Sequence, residues 1–378
     1  MKKWILLLSI LTCGKAMAQP VTYKVMSYNL LAFGLPCTGV TITQKYTWLG
    51  TILNHAQPDI FSVNEVSASN ASIYAEGIRQ QSFPAAIRSQ IAFPAPTNQA
   101  GSDRVNVLFY RKDKFGYLGG QVIVGGIRDV NLHKFYVKTA TAVGDTTFLY
   151  CIQGHFKAGD TQNDATDRNL SATAIMNWVS AQGRNASVLL MGDFNLYSPN
   201  EQAFQTLVFN NDQAIRFRDP AGLQGGWTGA SHALFHTQSP RSSSSDCGSG
   251  GGMDDRFDFI LTSPALTDGL ARVGIVPDSY ATYGNNGQSY NTELSCSGNT
   301  TVPAQVCNTL KLMSDHLPVV LQIRADAVNA LDLLPESEAR LWLPDQPGSS
   351  LEIHFEAVIP AFYQIEVYDA LGRRVAWL

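Results

Sequence analysis

The sequence predicts an α+β protein in which short buried strands and amphipathic helices share one large core. Apolar runs of strand length recur along the chain, for example DIFSV at 59–63 and SVLLM at 187–191. Residues 43–56 instead place apolar side chains at helical spacing. With 378 residues, of which 45% are hydrophobic, the chain is long enough for a large single core and a small second unit.

In the first half of the chain, strands and helices follow from these two patterns. A strand is predicted at 21–28, where apolar and polar residues alternate, and Pro58 ends the helix at 43–56 before the strand at 59–63. A second helix is predicted at 71–81, a strand at 104–110, and glycine-punctuated strands at 119–129. Arg128, in their connection, is a candidate phosphate contact, although a solvated arginine is the alternative.

The second half continues the same way. Strands are predicted at 146–152, 187–191, 257–261 and 318–323. A helix is predicted at 167–179, with Leu170, Ala174, Trp178 and Val179 facing the core. Residues 224–255 are rich in glycine and serine, which predicts a long flexible loop.

Residues 1–18 have the features of a signal peptide. Lys2 and Lys3 precede an apolar segment at 4–11, and Ala16-Met17-Ala18 forms a small-residue cleavage site. The apolar segment is too short to span a bilayer, so we expect no transmembrane anchor here and an exported, secreted or cell-surface protein.

The charge balance argues against a broad nucleic-acid-binding face. The chain carries 27 basic and 31 acidic residues, and loss of the three lysines in the signal peptide changes the formal net charge from −4 to −7. This does not exclude a nuclease, because catalysis at one phosphate needs only a local site and a metal ion.

Several predicted strands end in a polar residue capable of chemistry. Asp193 and Asn195 follow the strand at 187–191, Asn29 follows 21–28, and Glu65 follows 59–63. A strand end holds a side chain rigidly at the open edge of a sheet, where α/β proteins place chemistry. Each of the first three is also explained by an ordinary turn, whereas a buried Glu needs a partner or a cation.

Two histidines extend the pattern. His155 follows the strand at 146–152, where it is either catalytic or a hydrogen-bonded structural residue. Asp258 lies inside the apolar run 257–261 and requires a buried partner, for which histidine is suited. His316, directly before the strand at 318–323, is the other candidate besides His155.

The ordered set of motifs resembles the endonuclease/exonuclease/phosphatase family, which includes pancreatic-type deoxyribonucleases, abasic-site endonucleases, neutral sphingomyelinases and inositol-polyphosphate phosphatases. The resemblance covers residues 21–324, and it implies a four-layered α/β/β/α sandwich of two mixed sheets. One departure is Asn64, where the family often has Gln, a change we expect to be harmless. The motifs, in family order, are SYN at 27–29, VNE at 63–65, GH at 154–155, GDFN at 192–195, RFDFIL at 256–261 and SDHLPV at 314–319.

The resemblance also implies a metal site. By carry-over, Glu65 is the principal ligand of a divalent ion, with Asn29 and Asp315 close to it. Oxygen ligands of this kind suit Mg²⁺ or Mn²⁺ better than Zn²⁺.

The same carry-over implies catalytic roles. Asp193 and Asn195 orient the attacking water and hold the phosphate, while His155 contacts or protonates phosphoryl oxygens. Asp258 pairs with His316 and favours its charged form. Whether Asp193 or His316 takes the first proton is left open by the sequence.

Three functions are compatible with these residues. The first is a secreted metal-dependent phosphodiesterase, an endonuclease acting on nucleic acid. The second is the same chemistry on a phospholipid such as sphingomyelin, or on a phosphomonoester. The third, a catalytically inactive binding protein, is disfavoured because every acidic and histidine position of the family is filled.

The cysteines fit an exported protein. Five remain after the signal peptide, and Cys151, in the middle of a strand, is expected to be a buried free thiol. Cys296 and Cys307 flank a short loop and are expected to pair, and Cys37 with Cys247 is a second pairing between loops.

The C-terminal region forms a separate prediction. Residues 19–324 are expected to form the catalytic domain, 325–340 a linker, and 341–378 a small β-rich module. This module resembles the sorting domain of proteins exported by type IX secretion, so the secretion machinery is a predicted partner. A purely structural β appendage is the alternative.

Overall fold

A computed structural model describes most of the chain. The described residues are 20–37, 39–140, 146–223, 226–245, 247–269 and 271–326, with four short strands beyond them at 340–342, 354–356, 366–368 and 374–377. Residues 20–326 form one compact unit. The predicted signal peptide lies outside the described residues.

The compact unit contains twelve strands and seven α-helices in its described residues. The strands are β1 (Val21–Phe33), β2 (Ile60–Ser67), β3 (Ile91–Ala92), β4 (Arg104–Arg111), β5 (Phe115–Gly125), β6 (Asp129–Val137), β7 (Phe148–His155), β8 (Val188–Asp193), β9 (Asp258–Thr262), β10 (Val273–Ile275), β11 (Ala281–Thr282) and β12 (Val319–Ala325). The helices are α1 (Ile42–Ala56), α2 (Ala71–Gln81), α3 (Ala85–Arg88), α4 (Gln162–Gln182), α5 (Gln202–Val208), α6 (Pro264–Thr267) and α7 (Ala304–Met313).

These strands form two mixed sheets. The first sheet has the order β10-β12-β1-β2-β4-β3, with β11 also paired to β12, and the second has the order β5-β6-β7-β8-β9. Each sheet contains one parallel pair, β1 with β2 in the first and β7 with β8 in the second, and the other pairs are antiparallel. Both parallel pairs therefore present two carboxyl ends side by side.

The sheets pack face to face and helices cover their outer faces. Val25 of β1 and Cys151 of β7 belong to one buried cluster between the sheets. Helices α1, α2 and α7 pack on the outer face of the first sheet, as Leu49 does, and α4 and α5 cover the second, as Ile175 does. This α/β/β/α layering confirms the predicted fold class.

Local sequence explains where the two longest helices begin. Thr41 precedes α1 and Thr161 precedes α4, and each side chain accepts a hydrogen bond from the backbone three residues later. The Gln44 and Asp164 side chains in turn accept a hydrogen bond from the backbone N–H of Thr41 and Thr161. This completes a capping box at the start of each helix. Helix α4 ends at Gly183, whose φ of 82° suits glycine.

The prediction for the core face of α4 is partly wrong. Leu170, expected in the core, is 61% exposed. The buried face instead starts from Arg168, which bonds Glu201 at 2.8 and 2.7 Å, and Leu170 lies two positions away on another side of the helix. The buried stripe continues through Ala172, Ile175, Met176 and Val179, so apolar spacing fits the buried face once Leu170 is left off it.

The expectation of a flexible loop at 224–255 is wrong for its described residues. Residues Ala230–Phe235 form a turn of 3-10 helix, and Trp227, His236 and Thr237 are fully or almost fully buried. The His236 ring lies between two backbone carbonyls, those of Trp227 and Met253. This segment packs as part of the domain.

The cysteine predictions are confirmed. Disulfides join Cys37 to Cys247 and Cys296 to Cys307, and Cys151 is a buried free thiol. The first disulfide ties the segment after β1 to the glycine-rich segment, although 210 residues separate them in sequence.

Beyond residue 326 the described residues form two small hairpins. β13 (Arg340–Trp342) pairs with β14 (His354–Glu356), and β15 (Glu366–Tyr368) pairs with β16 (Arg374–Trp377), both antiparallel. The sorting role of this region stays a prediction. In the described part of the chain, no helix combines the length and apolar character needed to cross a membrane.

A buried ion pair beside strand β9 offers a test of how the domain packs. The Arg256 guanidinium is fully buried, bonds Asp219 at 2.6 and 2.8 Å, and lies 4.4 Å from the ring centre of Phe259. Because Asp219→Asn leaves a buried charge uncompensated, we expect a loss of about 3–5 kcal/mol in the free energy of unfolding. Urea denaturation measures this loss.

The matched control is Asp113→Asn. Asp113 makes the same two-bond contact with Arg111, but its side chain is 36% exposed. Solvent screens such a pair, so we expect a change of about 0–1 kcal/mol. Equal losses for the two variants would contradict a structural role for the buried pair.

Candidate active site

The candidate site lies where the parallel pairs of the two sheets end. Asn29 and Glu65 lie at the carboxyl end of β1 and β2, and His155 and Asp193 end β7 and β8, directly opposite each other in register. The antiparallel strand β9 begins with Asp258, which pairs in register with Asp193. Strand pairing thus places Asn29 and Glu65 together in the first sheet. It places His155, Asp193 and Asp258 together in the second sheet.

The amide of Asn29 connects the two sheets. Its Nδ2 donates to Glu65 Oε1 at 3.1 Å in its own sheet and to Asp193 Oδ2 at 2.9 Å in the other. The Ser314 hydroxyl donates to the Asn29 carbonyl at 2.7 Å, which draws the SDH motif to the same place. Asn29 is 1% exposed, so these bonds form away from solvent.

Glu65 is held as an anion in a strained backbone. Its φ is 63°, a left-handed conformation that is rare for a non-glycine residue, at a point where the register of β2 with β4 shifts. Ala32 N–H donates to Oε2 at 2.9 Å, and Arg104 Nε lies 3.6 Å from Oε2. Burial raises the pKa of Glu65, but His155, Arg104 and the bonds from Ala32 and Asn29 outweigh it, and the pKa falls to about 2.

Asp193 lies between the two histidines. Its Oδ2 is 3.7 Å from His155 Nε2 and 3.8 Å from His316 Nε2. The carboxylate is 1% exposed, and this burial raises its pKa to about 7, although His316 opposes the shift. Oδ1 accepts the backbone N–H of Asn195 at 3.0 Å, which fixes the direction of the carboxylate.

His316 is the cationic histidine of the site. Its Nδ1 donates to Asp258 Oδ2 at 2.7 Å, and both residues are buried. Burial lowers the pKa of His316, but Asp258 and Asp193 raise it well above its usual value. Gln238 Nε2 lies 2.7 Å from His316 Nε2, so the Gln238 amide is in direct contact with the ring.

His155 is the neutral histidine. It is 4% exposed, and burial together with the charge of Arg128 lowers its pKa to about 3. Glu65 raises that pKa from 3.7 Å without restoring the charge. The two histidines therefore differ in protonation at neutral pH because one has a carboxylate in direct contact and the other has arginines nearby.

Asp315 and Asn195 lie at the margins of this group. Asp315 Oδ2 accepts from Ser249 N–H at 2.7 Å and from Gln238 at 3.4 Å, and among the described residues it makes no ion pair or hydrogen bond with Glu65 or Asn29. Asn195, with φ of 49°, donates from Nδ2 to the Phe156 carbonyl at 3.2 Å. The roles predicted for these residues stay predictions.

A sequence model of the Endonuclease/Exonuclease/phosphatase family matches residues 26–316. The chain belongs to this family. Enzymes of the family are hydrolases that act on phosphoester bonds, and they generally depend on a divalent metal ion. A search of curated proteins finds no match to the chain.

Solved structures share the family fold at low sequence identity. A family protein from Bacteroides thetaiotaomicron is 16% identical, with a TM-score of 0.50 over 82% of this chain and 100% of that one. TDP2 from C. elegans is 16% identical, with a TM-score of 0.51 over 80% and 75% of the two chains. TDP2 from D. rerio, complexed with single strand DNA product, is 16% identical, with a TM-score of 0.50 over 80% and 98%. These likenesses show the fold alone.

Three side chains that lie at the site of this family member were not predicted from the sequence. Asn64, treated as harmless, accepts the Asp193 N–H at 3.1 Å and donates to the Gly154 carbonyl at 3.2 Å, so it joins the first sheet to β7 and β8 of the second. The position of Asn64 directly before Glu65, at the end of an apolar strand, is the sequence feature that indicates a place at the site. The other two are Arg104 and Gln238, whereas Arg128 was already a candidate phosphate contact.

The two arginines border the site on the His155 side. Arg104 lies beside Glu65, and Arg128 donates to the Phe156 carbonyl at 3.0 Å. The Nε atoms of both are buried and have no hydrogen-bond partner among the described residues. Buried guanidinium donors without a partner are unfavourable unless an anion occupies the space beside them.

The donor set fits the divalent ion of the family. Glu65 supplies an ionised carboxylate that is only 12% exposed. The Asn29 amide beside it turns Nδ2 toward that carboxylate, while its Oδ1, the atom that could bind a metal ion, accepts the Leu31 N–H at 3.0 Å. No group of three or more His, Cys, Asp or Glu forms a metal cage in the described part of the chain. Magnesium needs no such cage, because it keeps several waters and takes one or two carboxylates.

The contact of His316 with Asp258 yields a prediction that needs no substrate. Asp258→Asn keeps size and burial but removes the negative charge, so the pKa of His316 should fall. NMR titration of the ring nitrogens between about pH 5 and about pH 8 measures the change. An unaltered His316 pKa would contradict the assignment of Asp258 as its stabilising partner.

His155 provides the internal reference in the same spectra. Because its pKa is lowered to about 3, it should stay neutral across that range in both proteins.

Proposed function

We propose that this protein is an exported, metal-dependent phosphodiesterase that hydrolyses phosphodiester bonds in nucleic acid. The observation that carries the proposal is the placement of Asp193 between a neutral His155 and a cationic His316, beside an ionised Glu65. This arrangement supplies a proton acceptor, a proton donor and an anionic oxygen ligand within one buried edge of a family hydrolase.

Glu65 and Asn29 would hold Mg²⁺ or Mn²⁺, and Asp315 remains a further candidate ligand. The ion supplies a positive charge that stabilises the negative charge developing on the phosphoryl oxygens. Arg104, whose Nε lies 3.6 Å from Glu65 Oε2, and Arg128, whose Nε has no hydrogen-bond partner among the described residues, would bind phosphate oxygens on the same side.

The chain's own residues would carry the proton transfers. Asp193 takes a proton from the attacking water, since its carboxylate is the one whose pKa lies near neutral pH and His316 already carries its proton. The water oxygen forms the new bond to phosphorus as the bond to the leaving oxygen breaks.

His316, kept cationic by Asp258, gives its proton to that leaving oxygen. One proton is accepted and one is donated in each turnover, so solvent exchange restores both groups.

Two observations favour nucleic acid among the phosphodiesters. The D. rerio TDP2 structure shares this fold and is complexed with single strand DNA product. The paired arginines beside the site suit a substrate with successive phosphates.

The purified protein should cleave DNA or RNA when Mg²⁺ or Mn²⁺ is supplied, and excess chelator should abolish cleavage. The panel consists of plasmid DNA, RNA, sphingomyelin and an inositol phosphate, each with and without chelator. If only sphingomyelin or the inositol phosphate is hydrolysed, nucleic acid is not the substrate, and the enzyme acts on a phospholipid or a phosphomonoester. Full turnover in chelator would refute the metal requirement, and no hydrolysis of any substrate would favour a binding protein.

Glu65→Gln and Asp258→Asn serve as a matched pair in that assay. Glu65→Gln removes the ionised oxygen proposed to hold the metal, so it should raise the metal concentration that gives half activity. Asp258→Asn should lower turnover and shift the pH profile, with the metal requirement little changed. The reverse pattern would contradict this division of roles.

Export is part of the proposal. Two disulfides accord with an oxidising compartment outside the cytoplasm. The predicted signal peptide at 1–18 and the sorting-like residues 341–378 would direct the protein to the surface or the medium, through the secretion machinery.

Deletion of residues 341–378 tests the sorting role. If this segment directs secretion, the truncated protein should accumulate inside the cell envelope of the producing cell, while the purified truncated enzyme keeps its catalytic rate. Measuring extracellular and envelope fractions decides the matter, since an unchanged extracellular yield would remove the sorting role.

A further inference from the structure

Tyr197 is a partly exposed aromatic residue directly beside the candidate site. It follows the GDFN motif and lies two residues after Asn195, so the two Cα atoms are at most about 7 Å apart. The residues from Met191 to Leu196 are buried, and Tyr197, 36% exposed, is where the chain reaches solvent again. The ring therefore lies at the border between the site and its surroundings.

The ring of Tyr197 is fixed by its neighbours. Its backbone N–H donates to Glu201 Oε1 at 2.7 Å. The Arg168 guanidinium lies 5.5 Å from the ring centre, and Phe257 packs edge-on at 5.0 Å. Phe257 lies in turn 6.5 Å from the His316 ring, so packing connects Tyr197 to the proposed proton donor.

Arg168 is itself immobilised. It is 1% exposed, bonds Glu201, and donates at 2.8 and 2.7 Å to the carbonyls of Lys157 and Gly159. A ring supported by such a group loses little further freedom when a ligand stacks on it, which favours binding. The exposed part of Tyr197 is thus a preorganised aromatic surface.

Charge separates this surface from the phosphate side of the site. Arg104 and Arg128 lie beside Glu65 and His155. Near Tyr197 the cationic Arg168 is paired with Glu201, and the carboxylates of Asp255 and Asp160 add negative charge. Carboxylates repel a phosphate but not the face of an uncharged ring. Tyr197 is therefore suited to the base of a nucleotide and the arginine side to its phosphates.

We propose that Tyr197 is a specificity-determining residue that stacks on the nucleobase next to the scissile phosphate. The inference rests on the proposed function and deepens it, because it requires a single-stranded or locally unstacked nucleic acid at that position. Every base has an aromatic face, so the contact favours nucleotides over other phosphodiesters without selecting one base.

The test pairs variants of the protein with variants of the substrate. Single-stranded oligonucleotides carry one cleavable linkage flanked either by bases or by an abasic residue, placed on each side in turn. Tyr197→Leu removes the ring, and Tyr197→Phe keeps it. Phe148→Leu is the matched control, because Phe148 is 37% exposed and begins β7, at the other end of the strand from His155.

Tyr197→Leu should lower kcat/KM about 5- to 150-fold on the oligonucleotide with bases, the range that base stacking contributes. On the oligonucleotide abasic at the contacted position it should leave kcat/KM unchanged. Tyr197→Phe and Phe148→Leu should match the parent protein on both. The ratio between the two substrates is independent of how much of a variant sample is folded, so partial unfolding cannot imitate the result.

Equal losses on both oligonucleotides, or no loss on either, would overturn the inference and leave the proposed function standing. Failure of the parent protein to cleave any oligonucleotide with Mg²⁺ or Mn²⁺ would overturn the proposed function, and this inference with it.

Discussion

The structure depends on burying carboxylates from two different sheets close together, at one end of the sandwich. Glu65 comes from the first sheet and Asp193 from the second, and the amide of Asn29 bonds both. Burying such charges is unfavourable unless donors and cations compensate them. Asn64 adds a second link across the sheets. The packing of the two sheets and the geometry of the site therefore depend on the same hydrogen bonds. A shift of one sheet against the other would break the links and leave the carboxylates unpaired.

That edge also concentrates backbone strain. Leu31, Ala32, Glu65 and Asn195 all have positive φ, which costs free energy for residues with a side chain. The surroundings offset the strain, because Ala32 N–H reaches Glu65 and the buried Lys45 amine donates to the carbonyls of Leu30 and Leu31. The irregular ends of β1 and β2 therefore direct the Ala32 N–H at Glu65. In a regular strand this N–H would bond to the neighbouring strand.

Much of the fold was predictable, because it follows from local patterns. Apolar runs and helical spacing indicated most of the longer strands and helices α1, α2 and α4, but not α7. A lone carboxylate at Asp258 required a buried partner, which is His316. What escaped prediction depends on contacts distant in sequence. Leu170 is exposed, and the buried stripe of α4 starts instead from Arg168, whose pair with Glu201 neither periodicity nor composition indicates. Protonation is equally non-local, since His155 and His316 differ only in their neighbours.

The glycine-rich segment shows why composition misled. Glycine allows flexibility, but it also allows backbones to approach where a side chain would collide. A Cβ at Gly250 would lie 2.3 Å from the Ser243 backbone, and one at Gly252 would lie 2.4 Å from the Thr292 backbone. These glycines permit close packing, and with the disulfide at Cys247 they hold the segment in place. Gln238 is thereby brought to His316. The segment is thus part of the wall of the site, beside the strand-end residues.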